Sequence, residues 1–212
     1  MPQMIINPKK MNKQEIYKLL IGTVLPRPIA FVTSLSPHGV LNGAPFSFFN
    51  VVSTDPPMIG ISCGRKSDGS MKDTAYNITK TKEFVVHTVD IKNVKVINDA
   101  SIDYPSDISE VEQLGLTQAQ SEKVQVPGIQ EAYIRMECVL HQWIPLGGHD
   151  SKPSSDFLIG EIVSFFIDDG VYRDGKILVE KLHPVGRLAG TAYTTLGEMF
   201  SLPRKNYKDL NK

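Results

Sequence analysis

Short apolar segments separated by turn-forming residues constrain the fold of this chain more than any other feature. The segments with the length and composition of β-strands are residues 29–35, 40–46, 58–63, 83–89, 132–144 and 156–168. Turn formers separate them, such as the SPHG sequence of residues 36–39 between the first two. Few helical segments alternate with the strands, so a parallel βαβ sheet is not expected. The pattern predicts a mainly β protein, an antiparallel β-barrel that carries a few helices.

The remaining segments complete a single domain over residues 1–212, which is long for one average domain and short for two. A helix is predicted at residues 12–21, with Asn12 as N-cap and an end at Gly22. A second is predicted at residues 70–81, with a near-capping box of Ser70 and Asp73. Shorter helical pieces are expected within 90–100 and 109–115, loops at 47–57, 117–128 and 145–155, and an irregular tail from about 183.

Composition and charge exclude several classes of function. Lys plus Arg total 23 and Asp plus Glu total 23, so the formal net charge is zero and no nucleic-acid partner is expected. Cys63 and Cys138 lie in apolar segments without CxxC spacing, which indicates buried free thiols and a reducing compartment. No segment approaches the roughly 20 apolar residues of a membrane span. The expectation is therefore a cytoplasmic protein without a membrane partner.

Histidines and sequence motifs give no metal site and no nucleophile. The five histidines have no ligand spacing, and His87 alternates within a strand as a core or interface residue does. The chain has no G-x-S-x-G elbow and no G-x-G-x-x-G fingerprint. A nicotinamide cofactor would therefore have no dedicated dinucleotide domain. We name no catalytic side chain.

Two early segments offer polar groups to a ligand. Residues 27–34 (RPIAFVTS) end in the hydroxyls of Thr33 and Ser34, which suit a phosphate or a polar ring edge. The same segment is equally typical of a strand that ends in ordinary turn formers. Residues 42–50 (NGAPFSFFN) combine small residues, which let a flat ligand approach the backbone, with the polar Ser47 and Asn50. The alternative is a barrel corner with core phenylalanines.

A third segment, residues 64–77 (GRKSDGSMKDTAYN), combines a glycine loop, three basic side chains and the start of a helix. Helix N-termini and loop amides bind phosphate well, and Lys72 adds a point charge. The segment lacks the spacing of a Walker-type loop. The alternative interpretation is a solvated basic turn.

The order of these segments resembles the flavin-reductase-like family. The matching stretches are RPIAFVTS (27–34), NGAPFSFFN (42–50), DPP (55–57), GRK (64–66), KDTAYN (72–77), EFVVHTV (83–89), GEIV (160–163) and HPVGRLAG (183–190). They cover most of the chain from about Leu25 to about Tyr193. The resemblance implies a split barrel that binds FMN, with antiparallel, Greek-key-like connectivity. Family members include flavoredoxins and flavin-dependent ferric reductases, and they are generally homodimers with the flavin near the subunit interface.

The resemblance also implies a set of cofactor-binding residues. Those expected to line the isoalloxazine ring and the ribityl chain are Thr33, Ser34, Ala44, Ser47, Phe48 and Asn50. Those expected to face the ribityl chain and the phosphate are Arg27, Ser53, Lys72, Thr74 and Asn77.

Three functional hypotheses follow from the resemblance. The first is an FMN-dependent oxidoreductase that passes electrons from NAD(P)H or a protein donor to a flavin, ferric or other acceptor. The second is an electron carrier of the flavoredoxin type that does not turn over NAD(P)H. The third is a protein without redox activity that binds a flavin or another phosphorylated heterocycle.

Overall fold

The computed structural model describes residues 3–149 and 152–207, and β-strands make up most of its regular structure. The strands, in chain order, are β1 (Ala30–Leu35), β2 (Leu41–Phe46), β3 (Phe49–Thr54), β4 (Pro57–Gly64), β5 (Glu83–Thr88), β6 (Gln118–Ala119), β7 (Gly128–Ile129), β8 (Ile134–Leu146), β9 (Ser155–Ile167), β10 (Tyr172–Arg173), β11 (Lys176–Ile177), β12 (Val185–Arg187) and β13 (Tyr193–Thr195). Seven of them form one antiparallel sheet in the order β2-β1-β5-β8-β9-β4-β3. The mainly β, antiparallel fold class is therefore confirmed.

The helices are short and lie outside the sheet. They are α1 (Lys13–Thr23), α2 (Asp73–Thr81), α3 (Val94–Asp99), α4 (Glu110–Gln113) and α5 (Val179–Leu182), with 3₁₀ turns at Pro8–Lys10 and Asp169–Val171. The α1 helix begins as predicted: Asn12 accepts a hydrogen bond from the Glu15 N–H at 3.0 Å, and the Glu15 carboxylate accepts one from the Asn12 N–H at 2.9 Å. It continues to Thr23, one residue beyond the predicted end. In the described part of the chain no helix has the length and apolar character that crossing a bilayer requires.

The two end strands of the sheet, β2 and β3, are consecutive in the sequence. Only Ser47 and Phe48 separate the end of β2 at Phe46 from the start of β3 at Phe49. A chain of this length spans at most about 11 Å. The opposite edges of the sheet therefore meet at this point, and the sheet is rolled into a barrel.

The core lies on both faces of the central strands. On β1, Phe31 packs into one apolar cluster with Val85 and Ile129, while Val32, on the other face, packs into a second cluster with Phe84. All five side chains are at most 1% exposed. The central strands are thus buried on both faces, which explains why their sequences are almost continuously apolar.

The two cysteines are buried free thiols, as predicted. Both Cys63 and Cys138 pack in the cluster that contains Phe84. Burial raises the pKa of each thiol above its ordinary value, so neither side chain is a thiolate at neutral pH.

Three predicted boundaries are wrong, each for a local reason. Residues 49–54 form β3, not a loop, because they pair with β4 as an exposed edge strand that lacks an apolar pattern. The α2 helix begins at Asp73 because the Ser70 hydroxyl bonds the Asp68 carboxylate at 2.6 Å and does not cap the helix. The tail is not irregular from 183, since β12 pairs with β13.

The expected loops differ in extent from the structure. Within 117–128, β6 pairs with β7, so this segment is partly ordered by strand pairing. The hairpin of β8 and β9 continues to Leu146 and Ser155, which shortens the expected 145–155 loop. Residues 150–151 of that loop lie outside the described residues.

Candidate functional site

A cavity of about 520 Å³ lies beside the outer edge of β2 and is called the main cavity below. Its walls come from β2, from the loop before α2 and the start of that helix, and from the segment between α3 and α4. The lining residues are Asn42, Ala44, Pro45, Phe46, Arg65, Lys66, Ser67, Asp68, Lys72, Asp73, Thr74, Ala100, Ser101, Ile102, Asp103, Tyr104 and Glu110. This volume is within the range of small-molecule sites.

The N-terminus of α2 faces the main cavity without a side-chain cap. The N-cap is Lys72, whose side chain accepts no hydrogen bond from the helix. Lysine is a poor N-cap because it has no acceptor, whereas Ser, Thr, Asp and Asn are preferred. The first N–H groups of a helix have no partner within the helix, and its dipole places partial positive charge there. The cavity is lined here by Lys72, Asp73 and Thr74. A negatively charged group bound in it would accept hydrogen bonds from the free N–H groups of this helix end.

The loop before α2 is held in place by a partly buried ion pair. Arg65 donates to both oxygens of Asp156, from Nε at 2.9 Å and from Nη2 at 2.7 Å. Asp156 is fully buried and also accepts a hydrogen bond from Trp143 Nε1 at 2.9 Å. The Arg65 guanidinium further donates to the Gly69 carbonyl at 3.2 Å. These bonds fix the loop against β9, and Arg65 carries its charge to the cavity wall.

Two lysines add charge that is only weakly neutralised. Lys66 Nζ lies 3.1 Å from Asp73 Oδ1, and both side chains are partly exposed. Lys72 Nζ lies 3.6 Å from Asp103 Oδ1, and the Asp103 side chain is 91% exposed. Exposed pairs of this kind contribute little energy. Both ammonium groups can therefore turn toward an anion in the cavity.

The outer edge of β2, beside the same cavity, carries backbone groups that bond to Ser109 and Glu110. The Leu41 carbonyl accepts a hydrogen bond from Ser109 Oγ at 2.6 Å, and the Gly43 N–H donates to Glu110 Oε2 at 3.0 Å. Outward-facing backbone groups recur at every second residue of an edge strand. Pro45 is the next in this series and has no N–H, so its carbonyl is left on the edge as an acceptor.

A buried polar network supports this edge. Glu110 accepts hydrogen bonds from Asn42 Nδ2 at 2.9 and 3.0 Å. Asn42 Oδ1 in turn accepts from the hydroxyls of Thr74 at 2.7 Å and Ser34 at 3.3 Å, and Ser34 Oγ accepts from Asn77 Nδ2 at 3.3 Å. Burial raises the pKa of Glu110 above its ordinary value, and the hydrogen bonds it accepts oppose that rise. The network joins β1, β2, α2 and α4 behind the cavity.

A second cavity of about 200 Å³ adjoins the main one and shares Pro45, Phe46 and Ser101 with it. Its other lining residues are Tyr17, Ile21, Arg27, Ile29, Ser47, Asn98, Arg187, Gly190 and Tyr193. The Arg27 side chain is buried and donates to the carbonyls of Ile21, Val24 and Leu188 at 2.8–2.9 Å. Its Nε lies 3.4 Å from Ser47 Oγ, so it positions the end of β2.

The structure thus distributes the predicted site residues over four environments. Ala44, Lys72 and Thr74 line the main cavity, and Arg27 and Ser47 line the second. Thr33, Ser34 and Asn77 are buried, and their polar groups already have protein partners, which for Thr33 is the Pro127 carbonyl at 2.7 Å. Phe48, Asn50 and Ser53 lie outside the residues that line either cavity.

The last of these groups lies at or near the exposed strand β3. Phe48 is 41% exposed, with its ring centroid 6.0 Å from the Arg27 guanidinium. Asn50 Oδ1 accepts only from the N–H of the next residue, and Ser53 Oγ accepts from the Asp55 N–H at 3.3 Å. The polar groups of Asn50 and Ser53 thus bond to nearby backbone, and neither these residues nor Phe48 line a cavity.

Sequence reasoning missed one wall of the main cavity. Ser101, Asp103 and Tyr104 follow α3, and Glu110 begins α4. The only local signal there is the N-cap Ser109, which accepts from the Glu112 N–H at 3.3 Å. Nothing in that signal indicates that the segment crosses to β2. The described residues contain no cluster of His, Cys, Asp and Glu that could hold a metal ion.

Comparisons with known proteins agree with this architecture. The sequence pattern of the family described as "Flavin reductase like domain" matches residues 21–181. The structure of nitrilotriacetate monooxygenase component B from Bacillus cereus superposes with a TM-score of 0.93 at 47% identity, covering 95% of this chain and 100% of that one. The 2-nitrobenzoate 2-nitroreductase NbaA of Pseudomonas fluorescens gives 0.85 at 32% identity, with 96% and 98% covered.

A third solved structure defines the fold. It is a Shewanella frigidimarina protein with a split barrel domain, which superposes with a TM-score of 0.78 at 20% identity and covers 93% of this chain and 96% of its own. The predicted split barrel is confirmed. Because the family pattern spans more than half of the chain, this protein belongs to the flavin reductase-like family.

Proposed function

We propose that this protein binds FMN in the main cavity and acts as an FMN-dependent oxidoreductase. The observation that carries the proposal is the uncapped start of α2 in a cavity that Ala44, Pro45 and Phe46 of β2 also line. The two features offer complementary chemistry within one space, since the first suits a phosphate and the second suits a flat heterocycle.

The phosphate end would be held by loop and helix together. The N–H groups of the first turn of α2 and the side chains of Arg65, Lys66 and Lys72 supply donors and positive charge. The Ser67 hydroxyl lines the same wall. Arg65 is already oriented by Asp156, so the loop is ordered before a ligand arrives. Such preorganisation lowers the entropic cost of binding.

The ring end would rest against β2. Ala44 and Pro45 are small enough to let a flat ring approach the backbone, and Phe46 adds apolar area. The Pro45 carbonyl can accept a hydrogen bond from the N–H edge of a heterocycle. Between the two ends, the hydroxyls of Ser101 and Tyr104 suit a polyol chain. The cavity therefore offers donors for a phosphate, hydroxyls for a polyol chain, and apolar contacts with one backbone acceptor for a ring.

FMN, when bound, supplies the transfer of one or two electrons, and the chain supplies its position. Glu110 is not needed as an acid or base, since its oxygens already accept from Asn42 and Gly43. Its role is to hold the edge of β2 at a fixed distance from α4. The names of the two relatives above 30% identity, a monooxygenase component and a nitroreductase, support an oxidoreductase.

The choice of flavin is tested by titrating the purified protein with FMN, FAD and riboflavin and following flavin fluorescence. We expect FMN to bind more tightly than riboflavin because the phosphate completes the start of α2. Lys72→Met should weaken FMN binding by about tenfold, as removing a charged hydrogen-bond donor does, and should leave riboflavin binding unchanged.

Lys80→Met is the matched control, because Lys80 lies in the last turn of the same helix and outside the cavity. It should leave all three affinities unchanged. A protein that neither quenches nor retains any flavin contradicts the proposal. Equal loss of FMN and riboflavin binding in Lys72→Met contradicts the assignment of the phosphate end.

An electron carrier of the flavoredoxin type is the second candidate. Steady-state oxidation of NADH and NADPH, with free flavin or a ferric chelate as acceptor, separates the two. Turnover supports the reductase. An FMN-loaded protein that dithionite reduces but that neither nicotinamide reduces supports the carrier and a protein donor.

We further propose that the protein forms a homodimer through β3. Val51 and Val52 on this edge strand are 62% and 47% exposed, and Phe48 next to it is 41% exposed. Exposed apolar side chains on a free strand edge form a surface that proteins normally cover. Analytical ultracentrifugation should give twice the chain mass, and Val51→Lys should shift it toward the monomer. A monomeric wild-type protein at micromolar concentration contradicts this proposal.

A further inference from the structure

The second cavity contains two arginines that lie opposite each other. Arg27 and Arg187 form an antiparallel backbone bridge, with Arg27 N–H to Arg187 O at 3.0 Å and Arg187 N–H to Arg27 O at 2.8 Å. Side chains of directly opposed residues project from the same face, and like charges at such positions are destabilising. Both side chains line the one cavity of about 200 Å³. The fold thus places two positive charges side by side.

No carboxylate compensates these charges within the described residues. The ion pairs found there involve Arg65, Lys66 and Lys72, and no acidic residue lines the second cavity. Arg27 is only 5% exposed, and its hydrogen bonds go to neutral carbonyls and a hydroxyl. A buried charge normally has a counter-charge because desolvation is costly. The unmatched positive charge indicates that the cavity accepts an anion.

Arg187 is oriented toward the cavity and keeps free donors. Its Nη1 bonds the Tyr193 hydroxyl, its Nη2 donates to the Gly190 carbonyl at 2.6 Å, and its guanidinium lies 4.4 Å from the centre of the Tyr193 ring. Tyr193 is itself held by Asn98 Oδ1 at 2.7 Å. A guanidinium has five N–H groups, so donors remain for a ligand. Its planar fork matches a carboxylate in geometry.

The size and position of the second cavity limit its ligand. At about 200 Å³ it is smaller than the usual range for complete ligands, so it suits one end of a small molecule. It shares Pro45, Phe46 and Ser101 with the main cavity, where the flavin ring would rest. A molecule anchored by its acid group in the second cavity would extend toward that ring.

We propose that the second cavity binds the carboxylate of a small organic acid, whose other end extends toward the flavin ring in the main cavity. This inference rests on the proposed function, since it names the substrate class of the same site. Arg187 supplies the direct contact. Arg27 adds positive potential while its own hydrogen bonds hold the end of α1 and the residue after β12.

The test uses benzoate as the probe and benzamide as its uncharged analogue, with binding measured by calorimetry on FMN-loaded protein. We expect benzoate to bind and benzamide to bind at least about tenfold more weakly. Arg187→Met should weaken benzoate by at least about tenfold and leave benzamide unchanged. Arg187→Lys should restore part of the affinity. Arg173→Met, at an exposed arginine in β10, is the control and should change neither.

A second variant tests the proposal even if Arg187→Met fails to fold. Asn98→Asp keeps the acceptor for the Tyr193 hydroxyl, changes no heavy-atom shape and adds a carboxylate to the cavity wall. Asn98 is exposed, so the change is compatible with folding. It should weaken benzoate by at least about tenfold. Benzoate binding that is unaffected by both variants overturns the proposal.

Two further results assign the arginines differently and also overturn it. If Arg187→Met weakens FMN but not riboflavin, the second cavity holds the flavin phosphate. If it raises the NADH concentration needed for half-maximal flavin reduction and leaves benzoate unchanged, the cavity holds a phosphate of the electron donor. Calorimetry on protein without flavin gives the benzoate affinity even if no flavin binds. Failure of this inference is thereby distinguished from failure of the proposed function.

Discussion

Acid should destabilise this protein through one buried histidine in the centre of the barrel. His87 on β5 is fully buried, and both of its ring nitrogens have backbone partners. Nδ1 lies 3.0 Å from the Phe31 carbonyl, and Nε2 accepts from the Ile129 N–H at 3.0 Å. These partners require the neutral ring with its proton on Nδ1. Protonation of Nε2 would place two donors against each other in an apolar core, so burial lowers the pKa of His87 from 6.5 to about 4.

The sign of the pH effect follows from the pH at which the unfolded and the folded protein each take up the proton. In the unfolded chain His87 protonates near its ordinary pKa of 6.5, whereas in the folded protein it stays neutral down to about 4. The contribution to stability is therefore complete above pH 6.5 and is lost as the pH falls from 6.5 to 4. A difference of about 2.5 pKa units corresponds to about 3 kcal/mol of unfolding free energy.

The measurement is urea unfolding of wild type and of His87→Gln at several pH values between about 7.5 and about 4. Glutamine offers one donor and one acceptor and does not titrate, so the difference between the two proteins isolates the histidine. We expect wild type to lose about 3 kcal/mol more than the variant over this range. His38→Gln, at an exposed turn residue, should follow wild type throughout. Parallel pH profiles for wild type and His87→Gln would refute the assignment of a neutral core histidine.

Two substitutions test the packing that supports the site. Asp156→Ala should lower the unfolding free energy by about 1.5–3 kcal/mol, because Arg65 and Trp143 lose a shared charged acceptor while both stay partly exposed to water. Gly160→Ala should lower it by about 1–3 kcal/mol, because a Cβ there would lie 2.2 Å from Cζ of the core residue Phe84. Both are read from urea unfolding at neutral pH.

Each of these substitutions has a control in the same chain. Lys66→Met removes an exposed ion pair with Asp73 and should cost less than about 1 kcal/mol. Gly197→Ala meets no atom within 4 Å and should be close to neutral. Asp156→Ala with an effect as small as that of Lys66→Met would show that the partly buried pair does not stabilise the loop. A neutral Gly160→Ala would show that Phe84 has room to move.

Within the seven-stranded sheet, the sequence predicted every strand except the exposed edge strand β3. The apolar segments of β1 and β5 are continuous because both faces of these central strands are covered, so composition alone identifies them. β3 has one free edge and mostly exposed side chains, so neither alternation nor an apolar segment marks it. It pairs with β4 through a hairpin turn, and the turn-forming residues led to the prediction of a loop over the whole segment.

The candidate site was predictable in part, for a related reason. Ala44, Lys72 and Thr74 lie in segments whose composition suits a ligand, and they line the main cavity. Ser34 and Asn77 have the same polar composition but are buried as partners of other side chains. Sequence does not distinguish a hydroxyl that faces a cavity from one that faces a neighbouring strand, because that depends on how the sheet is rolled. The segment after α3 reaches the cavity only through long-range packing.

The short connection between β2 and β3 has a mechanical consequence for the cavities at its end. Because Ser47 and Phe48 are the whole connection, the first and last strands of the sheet cannot part at this end by more than about the reach of the chain. This covalent connection limits how far β2 and β3 can separate at this end, and it needs no hydrogen bond between the two strands. The wall that carries Pro45 and Phe46 is therefore tied to β3 through the backbone at one end, while Ser109 and Glu110 tie the start of β2 to α4 at the other. Both ends of this wall are held in place, so the cavities beside it are expected to keep their shape when they are empty.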